Sequence, residues 1–244
     1  MEATSPLRAW RRLLVLAALT AHAILRLKRA RKESDGCPHE ATRHGNAWAQ
    51  RVVRALGIEL IVQGAPPPGP HLLLANHRSY VDILAILSRH PCAFLAKIEV
   101  GEWPLLGTAA RLAGTVFVKR ECSESRKLAR ESALALLQRG VPFAAFPEGT
   151  TFRGPGILPF FPGLFRLAEQ YGFPVVPIAV EYADPDDAWV GDDPFLPHFL
   201  TAFAKPRLRV RVVFGPPLQA RDCDDLRATA SDWIRSRVRS TSLA

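Results

Sequence analysis

Hydrophobic positions fall into short blocks separated by polar, proline-rich or glycine-rich breaks, and the blocks alternate between two periodicities. Residues 58–63, 72–75, 93–96, 115–118, 143–146, 175–180 and 208–214 are apolar or β-rich runs that predict strands. Residues 47–56, 81–87, 104–112, 124–139, 164–171 and 224–238 predict helices. The clearest is 124–139, with Leu128, Ala135 and Leu136 at helical spacing and Gly140 to close it. Pro104 suits the first turn of its helix. Residues 64–70, Gly-Ala-Pro-Pro-Pro-Gly-Pro, exclude both strand and helix interior. Strands that alternate with helices, several of them apolar throughout, predict an α/β fold: a mixed sheet covered by helices on both faces.

The N-terminal region follows a different pattern. Residues 13–25 (LLVLAALTAHAIL) form its most apolar run. Arg8, Arg11 and Arg12 precede it, and Arg26, Lys28, Arg29, Arg31 and Lys32 follow. As a helix this run spans about 20 Å, short of the ~30 Å hydrocarbon core of a bilayer. Ala21-His22-Ala23 imitates a signal-peptidase site, but the basic cluster that follows resists translocation. The expectation is a retained membrane-anchoring helix within residues 1–32, lying in or dipping into the cytoplasmic leaflet of the inner membrane. Residues 33–46 are polar and read as a linker, which with the amphipathic helix completes a connecting region over 33–56. Residues 57–244 then form the main domain.

Composition narrows the class. With 48% hydrophobic and 23% charged positions in 244 residues, the chain can bury a sizeable core. It contains no stretch of 18 or more consecutive apolar residues, which excludes a multi-span transporter. The net charge of +9 is uneven: residues 1–54 hold 11 Lys/Arg against 4 Asp/Glu. A basic collar around an apolar helix suits anionic lipid headgroups better than nucleic acid, so membrane lipids are the expected partner and nucleic acid is not. Cys37, Cys92, Cys122 and Cys223 have neither zinc nor disulfide spacing, so no metal is expected.

Three strand exits carry candidate chemistry. Asn76-His77-Arg78-Ser79-Tyr80-Val81-Asp82 follows the wholly apolar run 72–75. On one helix His77 and Asp82 would lie about 140° apart and out of contact. If the strand ends at Asn76 and Ser79 caps a new helix, Asp82 falls at the third helical position with its carboxylate directed back at the loop. It would then accept a hydrogen bond from one imidazole nitrogen and leave the other as a base. The same residues also fit a variant capping box with no catalytic role. Phe146-Pro147-Glu148-Gly149-Thr150 follows a second buried run, at the place where such sheets gather ligand groups. Gly114-Thr115-Val116-Phe117-Val118-Lys119-Arg120 ends a third with two cations, as an anionic acceptor would need.

Together these segments resemble the glycerolipid acyltransferase family typified by bacterial 1-acylglycerol-3-phosphate acyltransferase. Asn76-His77-x4-Asp82, Gly114-x-x-Phe117-x-x-Arg120, Phe146 to Thr150 and Val175-Val176-Pro177-Ile178 match its four blocks in order. The resemblance implies that His77 takes the proton of a lysolipid hydroxyl as it attacks the thioester of acyl-CoA or acyl carrier protein. It also implies that Asp82 orients the imidazole and that Arg120 binds the acceptor phosphate. Glu148, Gly149 and Thr150 would shape the acceptor pocket, with nearby backbone amides as an oxyanion hole and with no bound cofactor. Members acting on lysophosphatidic acid commonly carry Arg directly after Glu-Gly-Thr. Here that position is Thr151, so either Arg153, two residues on, swings back to bind the acceptor's phosphate or the acceptor lacks a phosphomonoester. Residues 150–160 and Trp189-Val-Gly-Asp-Asp193 resemble the subgroup that acylates lyso-ornithine lipid. 1-Acylglycerol-3-phosphate is the first expected acceptor and lyso-ornithine lipid the alternative. A catalytically silent lipid-binding protein and a secreted hydrolase are rivals from other classes.

Overall fold

The computed structural model describes residues 4–33, 36–191, 193–219 and 222–238. After two N-terminal helices, α1 (Pro6–Glu33) and α2 (Pro38–Leu56), the chain forms β1 (Ile58–Gln63), β2 (Leu72–Ala75), α3 (Val81–Arg89) and β3 (Ala93–Lys97). A 3₁₀ turn (Ile98–Glu102) leads to α4 (Leu106–Leu112), β4 (Val116–Val118), α5 (Ser123–Gln138) and β5 (Phe143–Ala145). Then come α6 (Gly163–Tyr171), β6 (Val175–Tyr182), α7 (Phe195–Ala202), β7 (Leu208–Phe214) and α8 (Cys223–Arg235).

β2 is buried at every position because it lies at the centre of a seven-stranded sheet of order β1-β7-β6-β2-β5-β3-β4. All neighbouring pairs are parallel except β6 and β7, so the sheet is mixed. Strand alternation then splits the core. Leu73 and Ala75 join α2, α3 and α7 on one face, with Val176, Ile178, Val180 and Tyr182 of β6. Leu72 and Leu74 join α5, α6 and α8 on the other.

Three expectations change. The stretch read as a linker is mostly helix: Pro38 opens α2, Glu40 lies in its first turn, and Gly57 closes it at φ 70°. Its polar character misled because the buried face of α2 includes the small or polar residues Thr42, Gly45 and Ala49. A Cβ at Gly45 would lie 3.7 Å from both Leu87 and Ala113. α4 begins at Leu106 rather than Pro104, because Leu105 adopts φ 60° in a three-residue turn closed by Leu106 N–H to Pro104 O. α7 was not among the expected elements; Pro194 is its cap and Pro197 falls in its first turn, where proline is tolerated.

The N-terminal helix also differs from expectation. α1 has 28 residues, more than twice the apolar run, because the flanking arginines are good helix formers. Among the described residues no helix is long and apolar enough to cross a membrane. One face of α1 packs into the protein through Ala9, Leu16, Ala23, Ile24 and Leu27, against α2, α4 and α7. Arg12, expected in the lipid-facing collar, is buried instead. Its guanidinium donates to the carbonyls of Phe203, Lys205 and Pro206 at 2.6–3.0 Å, satisfying the chain as it leaves α7. Replacing Arg12 by Ala strands those carbonyls and should cost about 2–4 kcal/mol in urea denaturation, whereas exposed Arg11→Ala should stay within about 0.5 kcal/mol.

Candidate active site

The chemistry gathers at the C-terminal ends of the parallel strands β2, β5, β3 and β4. At the end of β2, Asn76 is fully buried and its side-chain amide pairs with both backbone groups of Val180, donating to its carbonyl at 2.9 Å and accepting its N–H at 2.8 Å. That clamp ties the turn to β6. The chain then reverses, and α3 starts with Tyr80 as its cap, one residue later than expected, so Asp82 is the second helical residue. The expected contact nonetheless forms: His77 Nδ1 lies 2.8 Å from Asp82 Oδ2. The same oxygen accepts the N–H of Arg78 at 2.6 Å and of Ser79 at 3.0 Å. Oδ1 accepts from the Tyr182 phenol at 2.6 Å. With Nδ1–H donated to the carboxylate, Nε2 is the ring nitrogen left for chemistry. The His77 ring stacks on Phe146 at 3.8 Å with planes 9° apart, which fixes its remaining freedom.

The second segment supports the first from beneath. Glu148 is buried and does not line the cavity, contrary to its expected place in the acceptor pocket. Its carboxylate accepts the backbone N–H of His77 at 2.8 Å and of Leu158 at 2.9 Å, so it pins His77 and the loop before α6 together. Burial pushes its pKa up to about 7, against the pull of those two N–H groups and Arg78. Gly149 holds φ 72°, and a Cβ there would come within 2.7 Å of the Phe161 ring, so glycine is required. Arg78, unassigned from sequence, donates to the carbonyls of Phe152, Gly154 and Gly156 and holds the same loop.

His77 lines a cavity of about 1180 Å³. One part is apolar, walled by Leu16 and Leu27 of α1, Trp48 of α2, and Leu84, Leu87 and Phe94. The opposite part is cationic, with Lys97, Arg120, Arg126, Arg130 and Arg166 against a single carboxylate, Glu99. Arg120 is half-buried, and burial lowers its pKa while Glu99 and Glu121 oppose the shift. Gly149, Thr150 and Thr151 also line the cavity. Arg153 does not: its guanidinium donates to the Ala188 carbonyl at 3.0 Å and lies 3.8 Å from Asp193. Tyr182, Asn76 and Arg78 were missed because each acts through partners roughly 75 to 105 residues away, which no local spacing reveals. Among the described residues no group of three or more His, Cys, Asp or Glu could hold a metal ion.

The profile of the Acyltransferase family matches residues 58–181, the span from β1 to the end of β6 that carries both segments. This chain belongs to that family. It is 33% identical over 202 residues to the lyso-ornithine lipid O-acyltransferase of Pseudomonas aeruginosa, covering 80% of this chain and 78% of the relative. It is 34% identical over 224 residues to the 1-acyl-sn-glycerol-3-phosphate acyltransferase of Neisseria meningitidis, covering 87% and 86%. The crystal structure of the 1-acyl-sn-glycerophosphate acyltransferase PlsC from Thermotoga maritima shares the fold, with a TM-score of 0.63 at 20% identity over 93% of this chain and 96% of that one. The chain is thus an acyltransferase whose relatives act on lysolipids.

The raised Glu148 pKa carries a stability consequence. A carboxyl at about 7 in the folded state and about 4.5 unfolded contributes stability that is complete below pH 4.5 and lost as pH rises through 7. Unfolding free energies measured from pH 4.5 to 8 should therefore fall more steeply for the wild type than for Glu148→Gln. The difference between the two profiles should reach up to about 3 kcal/mol. Parallel profiles would place the Glu148 titration elsewhere.

Proposed function

We propose that this acyltransferase works at a membrane surface, moving an acyl chain from acyl-CoA or acyl carrier protein to the hydroxyl of a lysolipid, with 1-acylglycerol-3-phosphate as first acceptor. The observation that carries the proposal is one cavity holding three things: the Asp82-oriented imidazole of His77, an apolar compartment and the Arg120 guanidinium. His77 Nε2 takes the acceptor's hydroxyl proton while the oxygen attacks the thioester carbonyl. The tetrahedral intermediate collapses, the C–S bond breaks, and the thiolate leaves with the proton held by the imidazolium. Asp82 keeps the proton-bearing nitrogen turned inward and stabilises the cation between the two steps. The thioester is already activated, so this route uses no bound cofactor.

The apolar compartment beside Leu84, Leu87 and Phe94 suits an acyl chain, and Arg120 forks onto a phosphate. Leu7, Trp10, Leu14 and Leu25 form an exposed stripe on the outer face of α1, beside exposed Arg11, Arg26, Lys28 and Arg29. That arrangement suits a helix lying in the headgroup layer of the inner membrane's cytoplasmic face. A second acceptor, lyso-ornithine lipid, is favoured by Thr151 and by the attachment of Arg153 to Ala188 and Asp193, which leave no arginine directly after the glycine turn for a phosphomonoester. The similarity to lyso-ornithine lipid O-acyltransferases supports it as well.

His77→Ala should reduce acyl transfer by about 10²–10⁴-fold with the fold retained, read by product formation from labelled acyl-CoA. Activity within a few-fold of wild type would remove His77 from the mechanism. Offered both acceptors side by side, the enzyme should use 1-acylglycerol-3-phosphate, and Arg120→Ala should weaken that use about ten- to a hundred-fold. Turnover of lyso-ornithine lipid alone would select the second acceptor. For the membrane assignment, Trp10→Glu with Leu14→Glu should release the protein from anionic vesicles in a flotation assay.

A further inference from the structure

Four hydrogen bonds converge on Asp82, and three are local: His77 Nδ1–H and the N–H groups of Arg78 and Ser79 all reach Oδ2. The fourth is not. Oδ1 meets the phenol of Tyr182, which lies on β6 a hundred residues further along the chain. Tyr182 is 6% exposed and packs with the core under α2, α3 and α7, so a phenylalanine would serve its packing as well. A hydroxyl in that setting costs free energy unless it is bonded. The phenol donates to Asp82 Oδ1, 2.6 Å away, and the Ser79 side chain bonds the phenol oxygen in turn. The strand that carries it is the one Asn76 clamps at Val180, two residues earlier and on the same strand face.

We infer that Tyr182 is a positioning residue for acyl transfer: its O–H···Oδ1 bond sets both the orientation of Asp82 and how strongly that carboxylate holds His77. The inference rests on His77 being the base. A carboxylate with both oxygens occupied has fixed side-chain rotation, so its Oδ2 stays on His77 Nδ1 through the reaction. Each donor also draws charge from the carboxylate, which moderates its pull on the imidazole proton. Without the phenol, Oδ1 is buried and bare, and more of the carboxylate's charge is satisfied through His77. The imidazolium is then held too tightly, and its proton is returned more reluctantly to the departing thiolate. Other charged or titratable groups lie near this cluster: Arg78 from the turn, Glu148 from the loop after β5 and Tyr80 at the start of α3, while Glu181 of β6 points to the other face of the sheet and pairs with Arg211. None donates to Oδ1.

The test is Tyr182→Phe in the full chain, with His77→Ala as the companion variant. Two readouts are taken: steady-state acyl transfer, and the pH midpoint of the His77 ring titration followed by its carbon-13 resonance, which needs no turnover and is separate from Glu148. Tyr182→Phe should lower kcat about ten- to a hundred-fold with little change in the acceptor KM, and move the ring titration up by about one pH unit. Replacing Tyr182 by 3-fluorotyrosine, a more acidic phenol of nearly the same shape, should move the titration the other way and keep most of the activity. An unmoved titration in the fluorotyrosine protein overturns the inference, including in the case where Tyr182→Phe does not fold. A loss of kcat in Tyr182→Phe with the titration unmoved also overturns it, leaving Tyr182 as core packing. If instead His77→Ala remains active, the proposed base itself fails, and that result is distinguishable from either.

Discussion

The carboxyl group of Asp82 is fully enclosed by protein, and its desolvation has to be offset by donors brought from several places. It receives a phenol, an imidazole and two main-chain N–H groups. The start of α3 adds the favourable end of a helix dipole. To deliver the two main-chain donors, the chain must turn sharply between β2 and α3. To deliver the phenol, β6 must lie beside β2. The pairing of β6 with β2 and the shape of this turn both serve the same carboxyl group. Asn76 reinforces it by locking the turn to β6, and Glu148 by holding the His77 backbone from the opposite side.

The cavity is a consequence of how the parallel strands end. β2, β5, β3 and β4 run the same way, so their exits release His77, Gly149, Lys97 and Arg120 along one edge. The two N-terminal helices do not hang from this domain but wall the apolar side of its cavity, with Arg12 fastening α1 to the chain beyond α7. One helix therefore has two apolar faces with different partners. Leu16, Ala23 and Leu27 face the protein, whereas Leu7, Trp10, Leu14 and Leu25 are exposed.

The strands and most helices were legible because burial on both faces leaves unbroken apolar runs, as in β2, and burial on one leaves helical spacing, as in α6. α5 forms as expected, but its buried face is Ala129, Ala133 and Leu137, whereas Leu128 and Ala135 are exposed. The first half of α2 was not legible, because the face it buries includes Thr42 and Gly45, small or polar residues that resemble a linker. α7 was not among the expected elements either, although its prolines fall at its cap and in its first turn. In the site, the His77–Asp82 contact was legible since both partners lie within one turn. Its geometry survived even though the helix cap moved from Ser79 to Tyr80.

Sequence by itself determined the α/β class, the His77–Asp82 pairing, the glycine turn at Gly149 and the place of Arg120 at a strand exit. These depend on residues adjacent in the chain or on periodic burial, whose physics is local. Only the tertiary structure decided that Glu148 braces the His77 backbone instead of lining the cavity, that Arg153 is drawn to Ala188 and Asp193, and that Arg12 is interior. It also decided that Tyr182 completes the Asp82 shell. Each of these is a hydrogen bond across dozens to nearly two hundred residues. Such a bond exists only once the sheet has fixed which strand ends and loops are neighbours, and nothing in the spacing of either partner along the chain encodes that.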